Sequence, residues 1–348
     1  MVSIHINGKE VLAAQGATIL QACNQAGVRI PTFCHDERLK AEGSCRICVV
    51  EVEGAPSLVP ACAHTVSPDM KVETHSPKVM RLRRQLLELY LSNHEVNCLV
   101  CERSGSCLLQ DYSYEYGVNM QKYAGRKRSA GPPVAGKFFY LDQRKCILCR
   151  KCTRVCNQLQ GNKVWATAGR GFETEINTPF EIDLEENGCV SCGNCVSACP
   201  VGALTPKKGE RFREWEVKKT RTTCAYCGVG CQMNLLTKGE KVVGVEPVVD
   251  ALNNGLLCVK GKFGYHFINH KDRLTAPLIR KNGKLEEASW EEAYDLIKEK
   301  MTALKEAHGP DAFAFLGSSK VSVEENYLFQ KFARGVIGTN NVDCSARL

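Results

Sequence analysis

Cys146, Cys149, Cys152 and Cys156 follow one another at gaps of two, two and three residues, and Cys189, Cys192, Cys195 and Cys199 repeat that spacing with Pro200 after the last. Thiolates at such gaps serve iron–sulfur clusters or zinc. A tight turn can aim three thiolates at one face of a cluster but cannot reach behind it, so the fourth ligand must come from elsewhere. Paired Cys-x2-Cys is also a zinc pattern. Eight cysteines in two copies of one longer spacing, with the proline, favour iron and sulfide. Asn157, not proline, follows the first copy.

Three more constellations flank this run. Cys34, Cys45, Cys48 and Cys62 bracket a loop and a strand and can hold a [2Fe–2S] cluster, with zinc as the alternative; the gap before Cys45 is longer than the plant-type spacing. Cys98, Cys101 and Cys107 have no fourth cysteine, and His94, four residues upstream of Cys98, completes the count. An imidazole in place of a thiolate leaves a cluster less negative and raises its potential. His64 and His75 have no such setting and read as surface residues. Cys224, Cys227, Cys231 and Cys258 form the last group, followed by Val259-Lys260-Gly261; without that context Lys260 would read as a solvated lysine. These sets use every cysteine of the 21 except Cys23 and Cys344.

The elements that must position these residues are legible in outline. Val2, Ile4 and Ile6 alternate before an Asn7-Gly8 hairpin turn. Thr18 and Gln21 form a capping box for a helix with Ile19, Ala22, Cys23 and Ala26 on one face, which makes Cys23 a core residue. Ser76-Pro77 opens a helix whose face is Val79, Leu82, Leu86, Leu87 and Tyr90 and which ends at His94. Gly125, Gly131, Pro132, Pro133 and Gly136 mark a linker, Pro206 to Arg213 a second, basic one. Between the doubled quartets, Phe180 to Leu184 alternates as a short strand would. Met233, Leu235, Val242, Val243 and Val245 make the Cys224 segment strand-rich. Beyond Arg273 the texture is α/β. Ser289 and Glu292 cap a helix carrying Ala293, Leu296, Ile297, Met301 and Leu304; Asp311 to Leu316 reads as a buried strand before a Gly317-Ser318-Ser319 turn and a helix, a weak phosphate-binding signal.

The formal charge is +8. Five oxidised clusters would add roughly −9 through their thiolates, leaving about −1, so the basic excess reads as compensation rather than as a nucleic-acid footprint. Arg126-Lys127-Arg128 reads as solvated linker. The N-terminus has no signal peptide and no run reaches transmembrane length, which with metal-bound cysteines points to a cytoplasmic protein without a membrane partner.

The doubled quartets resemble two-cluster bacterial ferredoxins. That resemblance implies crossed ligation, with Cys146, Cys149, Cys152 and Cys199 on one [4Fe–4S] cluster and Cys189, Cys192, Cys195 and Cys156 on the other. The first cluster segment is similar to that of NADH-linked hydrogenases, formate dehydrogenases and the large electron-input subunit of respiratory NADH–quinone oxidoreductase. In those families the His94–Cys107 spacing holds a [4Fe–4S] cluster. The Cys224–Cys258 segment resembles the N-terminal part of molybdenum- or tungsten-pterin oxidoreductases, where a cluster lies beside a bis-pterin guanine dinucleotide; the resemblance gives Lys260 the place of the lysine that bridges cluster and pterin. Glu324-Glu325-Asn326-Tyr327, Gln330 to Gly335 and Gly338 to Arg347 closely resemble formate dehydrogenases, above all the catalytic subunit of cytoplasmic NAD(P)-linked ones. There a selenocysteine or cysteine metal ligand comes just after the Ala-Arg segment, followed by a histidine and, much further on, an arginine.

The implied fold is an α+β multidomain iron–sulfur protein. It comprises a β-grasp [2Fe–2S] ferredoxin at 1–78, a one-His/three-Cys [4Fe–4S] domain at 79–119, a linker at 120–137, a two-[4Fe–4S] ferredoxin at 138–205, a linker at 206–216, the [4Fe–4S] segment of a molybdopterin oxidoreductase at 217–272, and the start of an α/β pterin domain at 273–348. The expected function is a formate dehydrogenase or CO2 reductase subunit. It would pass electrons through one [2Fe–2S] and four [4Fe–4S] clusters between a Mo- or W-bis-pterin site, mostly missing from this chain, and an NAD(P)-binding flavin/iron–sulfur partner, with a hydrogenase module as a further partner. No Gly-rich dinucleotide fingerprint follows a strand, so nicotinamide belongs to the partner. No catalytic residue is expected within these residues, and Cys344 precedes the metal-ligand position. The ending at Leu348 is expected to mark a selenocysteine codon read as stop. Alternatives are an electron-transfer subunit of an NAD(P)-linked hydrogenase or related complex, an [FeFe]-hydrogenase subunit, which would need further cysteine motifs after the ferredoxin, and a zinc-rich nucleic-acid-binding protein, which would be colourless.

Overall fold

A computed structural model describes residues 1–118, 122, 123, 125, 127, 128 and 134–344. Arg126, Gly131, Pro132 and Pro133 of the first expected linker, and Ser345 to Leu348, lie outside the described residues. The chain forms two compact units. One comprises Met1–Lys218, Thr237–Gly239 and Leu257–Phe263; the other comprises Lys219–Leu236, Glu240–Leu256 and Gly264–Leu348.

In the first unit, β1 (Val2–Ile6) and β2 (Lys9–Ala13) pair antiparallel across a turn in which Asn7 and Gly8 have φ of +50° and +78°, the left-handed conformation that a two-residue hairpin requires. α1 (Ile19–Gln25) starts at the expected capping box: the Gln21 N–H donates to Thr18 Oγ1 at 3.2 Å and the Thr18 N–H to Gln21 Oε1 at 2.8 Å. With β3 (Val49–Val52), β4 (Val59–Pro60) and β5 (Lys71–Glu73) the sheet runs β2-β1-β5-β3-β4, and β5 lies parallel to β1. A mixed sheet crossed by one helix is the β-grasp. Ile19, Leu20, Ala22 and Cys23 of α1 fill its core, and burial pushes the Cys23 thiol up to about 11 against the opposing pull of Arg83.

α2 (Pro77–Asn93) opens on Ser76 and Pro77. Val79 and Leu87 of its expected apolar face are fully buried, and so is Arg83 between them. α3 (Leu108–Glu115), β6 (Val134–Ala135), β7 (Phe139–Leu141), α4 (Lys151–Arg154), the hairpin β8 (Ala166–Ala168) and β9 (Glu175–Asn177), α5 (Asn194–Ala198) and β10 (Leu204–Pro206) follow. β10, β7 and β6 make one small sheet, in that order. Phe180 to Leu184 is not a strand. Pro179–Glu181 is a 3-10 turn with Phe180 and Glu181 at φ of +58°. Pro179, which lacks an N–H for a ladder, and the shortness of the alternation explain the difference.

The second unit is built on β11 (Lys218–Thr223), β12 (Gln232–Lys238) and β13 (Lys241–Pro247), paired in that order. α6 (Val259–Phe263) belongs with the first unit. A hairpin of β14 (Leu278–Lys281) and β15 (Lys284–Glu287) leads to α7 (Trp290–His308), capped by Ser289 and Glu292 as expected. The strand expected at 311–316 begins only at β16 (Phe315–Gly317), after a 3-10 turn at Pro310–Ala312. α8 (Val323–Phe332) then carries the chain to β17 (Val342–Cys344), which pairs parallel with β16. This βαβ unit is the start of an α/β domain. Among the described residues no helix is long and apolar enough to cross a membrane.

Candidate functional site

Cys34, Cys45, Cys48 and Cys62 are all buried at one side of the β-grasp sheet. Their thiols touch one another: Cys34 hydrogen-bonds with Cys45 and Cys62, and Cys62 with Cys48, contacts that hold the Cys34 thiol below its ordinary range. The turn between Cys45 and Cys48 has Arg46 at φ +59°. The backbone around the quartet is pinned from outside. Tyr90 Oη donates to the Cys45 carbonyl at 2.7 Å, and Arg154 Nη1 donates to the Cys34 carbonyl at 2.8 Å.

His94 is the residue at which α2 ends. With Cys98, Cys101 and Cys107 it lines a small cavity, together with Gln110, Lys145 and Gly202. Its Nδ1 is buried with no hydrogen-bond partner. Burial first, then the charge of Lys127, pushes its pKa to about 4, so the imidazole is neutral and able to ligate. A Cβ on Gly202 would stand 2.6 Å from Cys101 Sγ; glycine keeps the sulfur's place open. Three basic side chains of the two linkers reach backbone carbonyls of the cluster segments. Lys127 Nζ donates to the His94 carbonyl at 2.8 Å, Arg128 Nη1 to the Cys146 carbonyl at 2.7 Å, and Arg213 Nη1 to the Cys101 carbonyl at 2.7 Å. Composition could not reveal this, because the partners lie up to 112 residues away.

The doubled quartets surround two cavities. One is lined by Cys156, Cys189, Cys192 and Cys195 with Trp165. The other is lined by Cys146, Cys149, Cys152 and Cys199 with Ile147 and Val201. Each first turn repeats one geometry: Leu148 and Ser191 are left-handed, at φ +55° and +53°, and their N–H groups donate to Cys146 Sγ and Cys189 Sγ at 3.4 Å. Burial pushes the thiols of Cys146 and Cys149 up to about 11 and about 12. A cluster's iron reverses that penalty, because it binds the deprotonated sulfur and neutralises its charge. A single zinc ion needs its sulfurs about 2.3 Å from one point. Among the described residues no three His, Cys, Asp or Glu side chains are arranged to hold one metal ion. Sulfurs spread round a cavity, an orphaned imidazole nitrogen and a glycine cradle fit clusters.

Cys224, Cys227 and Cys231 lie in the second unit on a turn closed by the Cys224 N–H donating to the Cys231 carbonyl at 2.8 Å. Cys258 and Lys260 stand with α6 in the first, both exposed. Cys344 ends the described chain on β17. His75 is exposed as expected, whereas His64 is partly covered. Sequence reasoning passed over Arg83 and Arg154, both buried beside the first quartet.

Five family descriptions match in succession. Residues 1–77 match a 2Fe-2S iron-sulfur cluster binding domain and 83–122 the NADH-ubiquinone oxidoreductase-G iron-sulfur binding region. Residues 136–205 match the ferredoxin-like domain of NADH-quinone oxidoreductase subunit 3, 217–270 the molybdopterin oxidoreductase Fe4S4 domain, and 273–348 molybdopterin oxidoreductase. The whole chain is 37% identical to the NADPH-Fe(3+) oxidoreductase subunit alpha of Geobacter sulfurreducens and 36% identical to a G-type NADH-quinone oxidoreductase subunit of Rhizobium meliloti, covering 40% of each. Over 99% of its length it is 32% identical to a Staphylococcus aureus protein named "Putative formate dehydrogenase", covering 39% of it. The chain thus spans about two fifths of the length of these relatives. Among solved structures, a chain of an NAD+-reducing [NiFe]-hydrogenase is similar with a TM-score of 0.55 and 30% identity, over 59% of this chain and 87% of that one. In this order the chain joins a 2Fe-2S domain, an iron–sulfur region of the NADH-ubiquinone oxidoreductase-G kind, a ferredoxin-like domain and molybdopterin-oxidoreductase segments.

Proposed function

We propose that this chain is the iron–sulfur arm of an NAD(P)-linked formate dehydrogenase or CO2 reductase. Its twenty cysteine and histidine ligands would hold one [2Fe–2S] and four [4Fe–4S] clusters, which supply one-electron transfer when bound. The observation that carries the relay is the grouping of Cys156 with Cys189, Cys192 and Cys195 around one cavity, and of Cys199 with Cys146, Cys149 and Cys152 around another. Two sites that exchange their fourth ligand are locked side by side. The protein's part is to hold thiolates and a neutral His94 at fixed places and to keep water out with Trp165, Ile147 and Val201.

The molybdopterin match over 273–348 and the likeness of Glu324 to Arg347 to formate dehydrogenases support the substrate. On this reading Lys260 lies between the Cys258 cluster and a Mo- or W-pterin group. An NAD(P)-binding flavin/iron–sulfur partner passes electrons on. A second reading, electron transfer without formate chemistry, is favoured by the higher identities to the Geobacter and Rhizobium relatives.

The purified complex separates the two readings. Formate-dependent dye reduction with molybdenum or tungsten present supports the first; NAD(P)H-dependent reduction alone supports the second. The reconstituted chain is expected to bind about 18 iron atoms; about ten with zinc present would sink the cluster assignment. Cys156→Ser is expected to damage the cluster of Cys189, Cys192 and Cys195 and to spare that of its sequence neighbours. Loss of the Cys146 cluster instead would overturn the crossing.

A further inference from the structure

Two arginines are buried against the first cysteine quartet; among the described residues Arg83 has no ion pair, and Arg154 has one carboxylate in reach, which it shares with Arg150. Arg154 is 3% exposed. Its Nη1 and Nη2 each donate at 2.8 Å to the carbonyls of Cys34 and Lys40. Its Nε has no hydrogen bond, and the carboxylate beside it, that of Glu42, stands 3.7 Å away and is shared with Arg150. Arg83 is fully buried. It donates to the Val49 carbonyl, one residue beyond Cys48, at 2.8 Å and to Tyr116 Oη at 2.9 Å, and its Nε is likewise unpartnered.

A guanidinium taken out of water onto neutral carbonyls is costly unless negative charge lies nearby. Both hold the chain of the quartet: Arg154 grips the backbone of Cys34, Arg83 the backbone just after Cys48. Arg154 also sits in the chain between Cys152 and Cys156, which line different cavities. We infer that Arg83 and Arg154 are the counter-charges of the [2Fe–2S] site and raise its reduction potential, Arg154 also fixing the Cys34–Lys40 loop to the two-cluster ferredoxin. The inference rests on the reading that Cys34, Cys45, Cys48 and Cys62 hold that cluster. A positive charge in a poorly screened interior stabilises the reduced, more negative cluster over the oxidised one.

The test is a redox titration of the [2Fe–2S] electron paramagnetic resonance signal in the anaerobically reconstituted full chain. Arg154→Gln is expected to lower the reduced-to-oxidised ratio at fixed potential about tenfold, a 59 mV shift for one electron. Arg83→Gln should act in the same direction. Arg154→Lys, which keeps the charge but cannot bridge both carbonyls, should stay within about twofold of the wild type. A purely structural role would make Lys behave like Gln, and that result overturns the inference, as does an unmoved potential in both Gln variants. If Arg154→Gln does not assemble, Glu42→Gln decides: removing the one carboxylate beside Arg154 should raise the potential, and no rise overturns the inference. Absence of any [2Fe–2S] signal in the wild type would instead sink the site assignment itself.

Discussion

The first unit and the α/β part of the second, residues 273–344, treat their apolar residues in opposite ways. In the first, Leu87, Phe139 and Trp165 share one core with Cys107, Cys149, Cys152, Cys195 and Cys199. In the second, α7 has no buried residue: Trp290, Tyr294, Ile297 and Leu304 on it are 63%, 61%, 52% and 49% exposed. This part has a small core of Phe315, Ala333 and Ile337, whereas β12 and β13 of the same unit bury Leu236, Val243 and Val245. The difference follows from how each kind of site is built. A cysteine turn carries its own ligands, so a cluster domain closes over short distances. An α/β layer buries its helices only against a wide sheet, and β16 and β17 are just two strands.

Two glycines break or sharpen this comparison most. Gly202→Ala would push a Cβ against Cys101 Sγ at 2.6 Å, whereas Gly228, between Cys227 and Cys231, has nothing within 4 Å. Gly202→Ala is expected to lose the His94 cluster, about four iron atoms by iron assay. Gly228→Ala should keep full iron. A fully loaded Gly202→Ala protein would mean that the Cys101 sulfur does not need the space that Gly202 leaves. Next in size are two leucines. Leu87, fully buried, should cost about 2–5 kcal/mol on truncation to alanine. Leu304, half exposed, should cost no more than about 0.5 kcal/mol. Urea melts of both variants measure the contrast; equal losses would show that α7 is covered in solution.

The β-grasp hairpin and both expected capping boxes were legible because each depends on residues close in sequence. What escaped depends on distant partners. Arg83 lies four residues from both Val79 and Leu87, so helical periodicity points it inward, but its charge argued for solvent. Only the Val49 carbonyl and Tyr116 explain it. Lys127, Arg128 and Arg213 sit among glycines, prolines or charges, a composition that says loop and nothing about the carbonyls they grip. Phe180 to Leu184 failed for the opposite reason: a five-residue alternation is too short to outweigh Pro179.

The smallest effect separates the units by dynamics rather than by total stability. Thr18 and Ser289 cap α1 and α7 with the same reciprocal bonds, and either alanine substitution should cost its helix about 1 kcal/mol. α1 buries Ile19, Leu20, Ala22 and Cys23, so opening it means breaking the β-grasp core. α7 buries none, so its first turn opens locally and the lost cap appears directly in that opening. Ser289→Ala should speed amide exchange in the first turns of α7 roughly fivefold, the ratio that 1 kcal/mol represents. Thr18→Ala should leave exchange within α1 slow and lower the unfolding midpoint of the first unit instead. If α7 amides exchange as slowly as those of α1 before any substitution, its apolar face is covered in the protein as purified, and the contrast between the units belongs to the isolated chain alone.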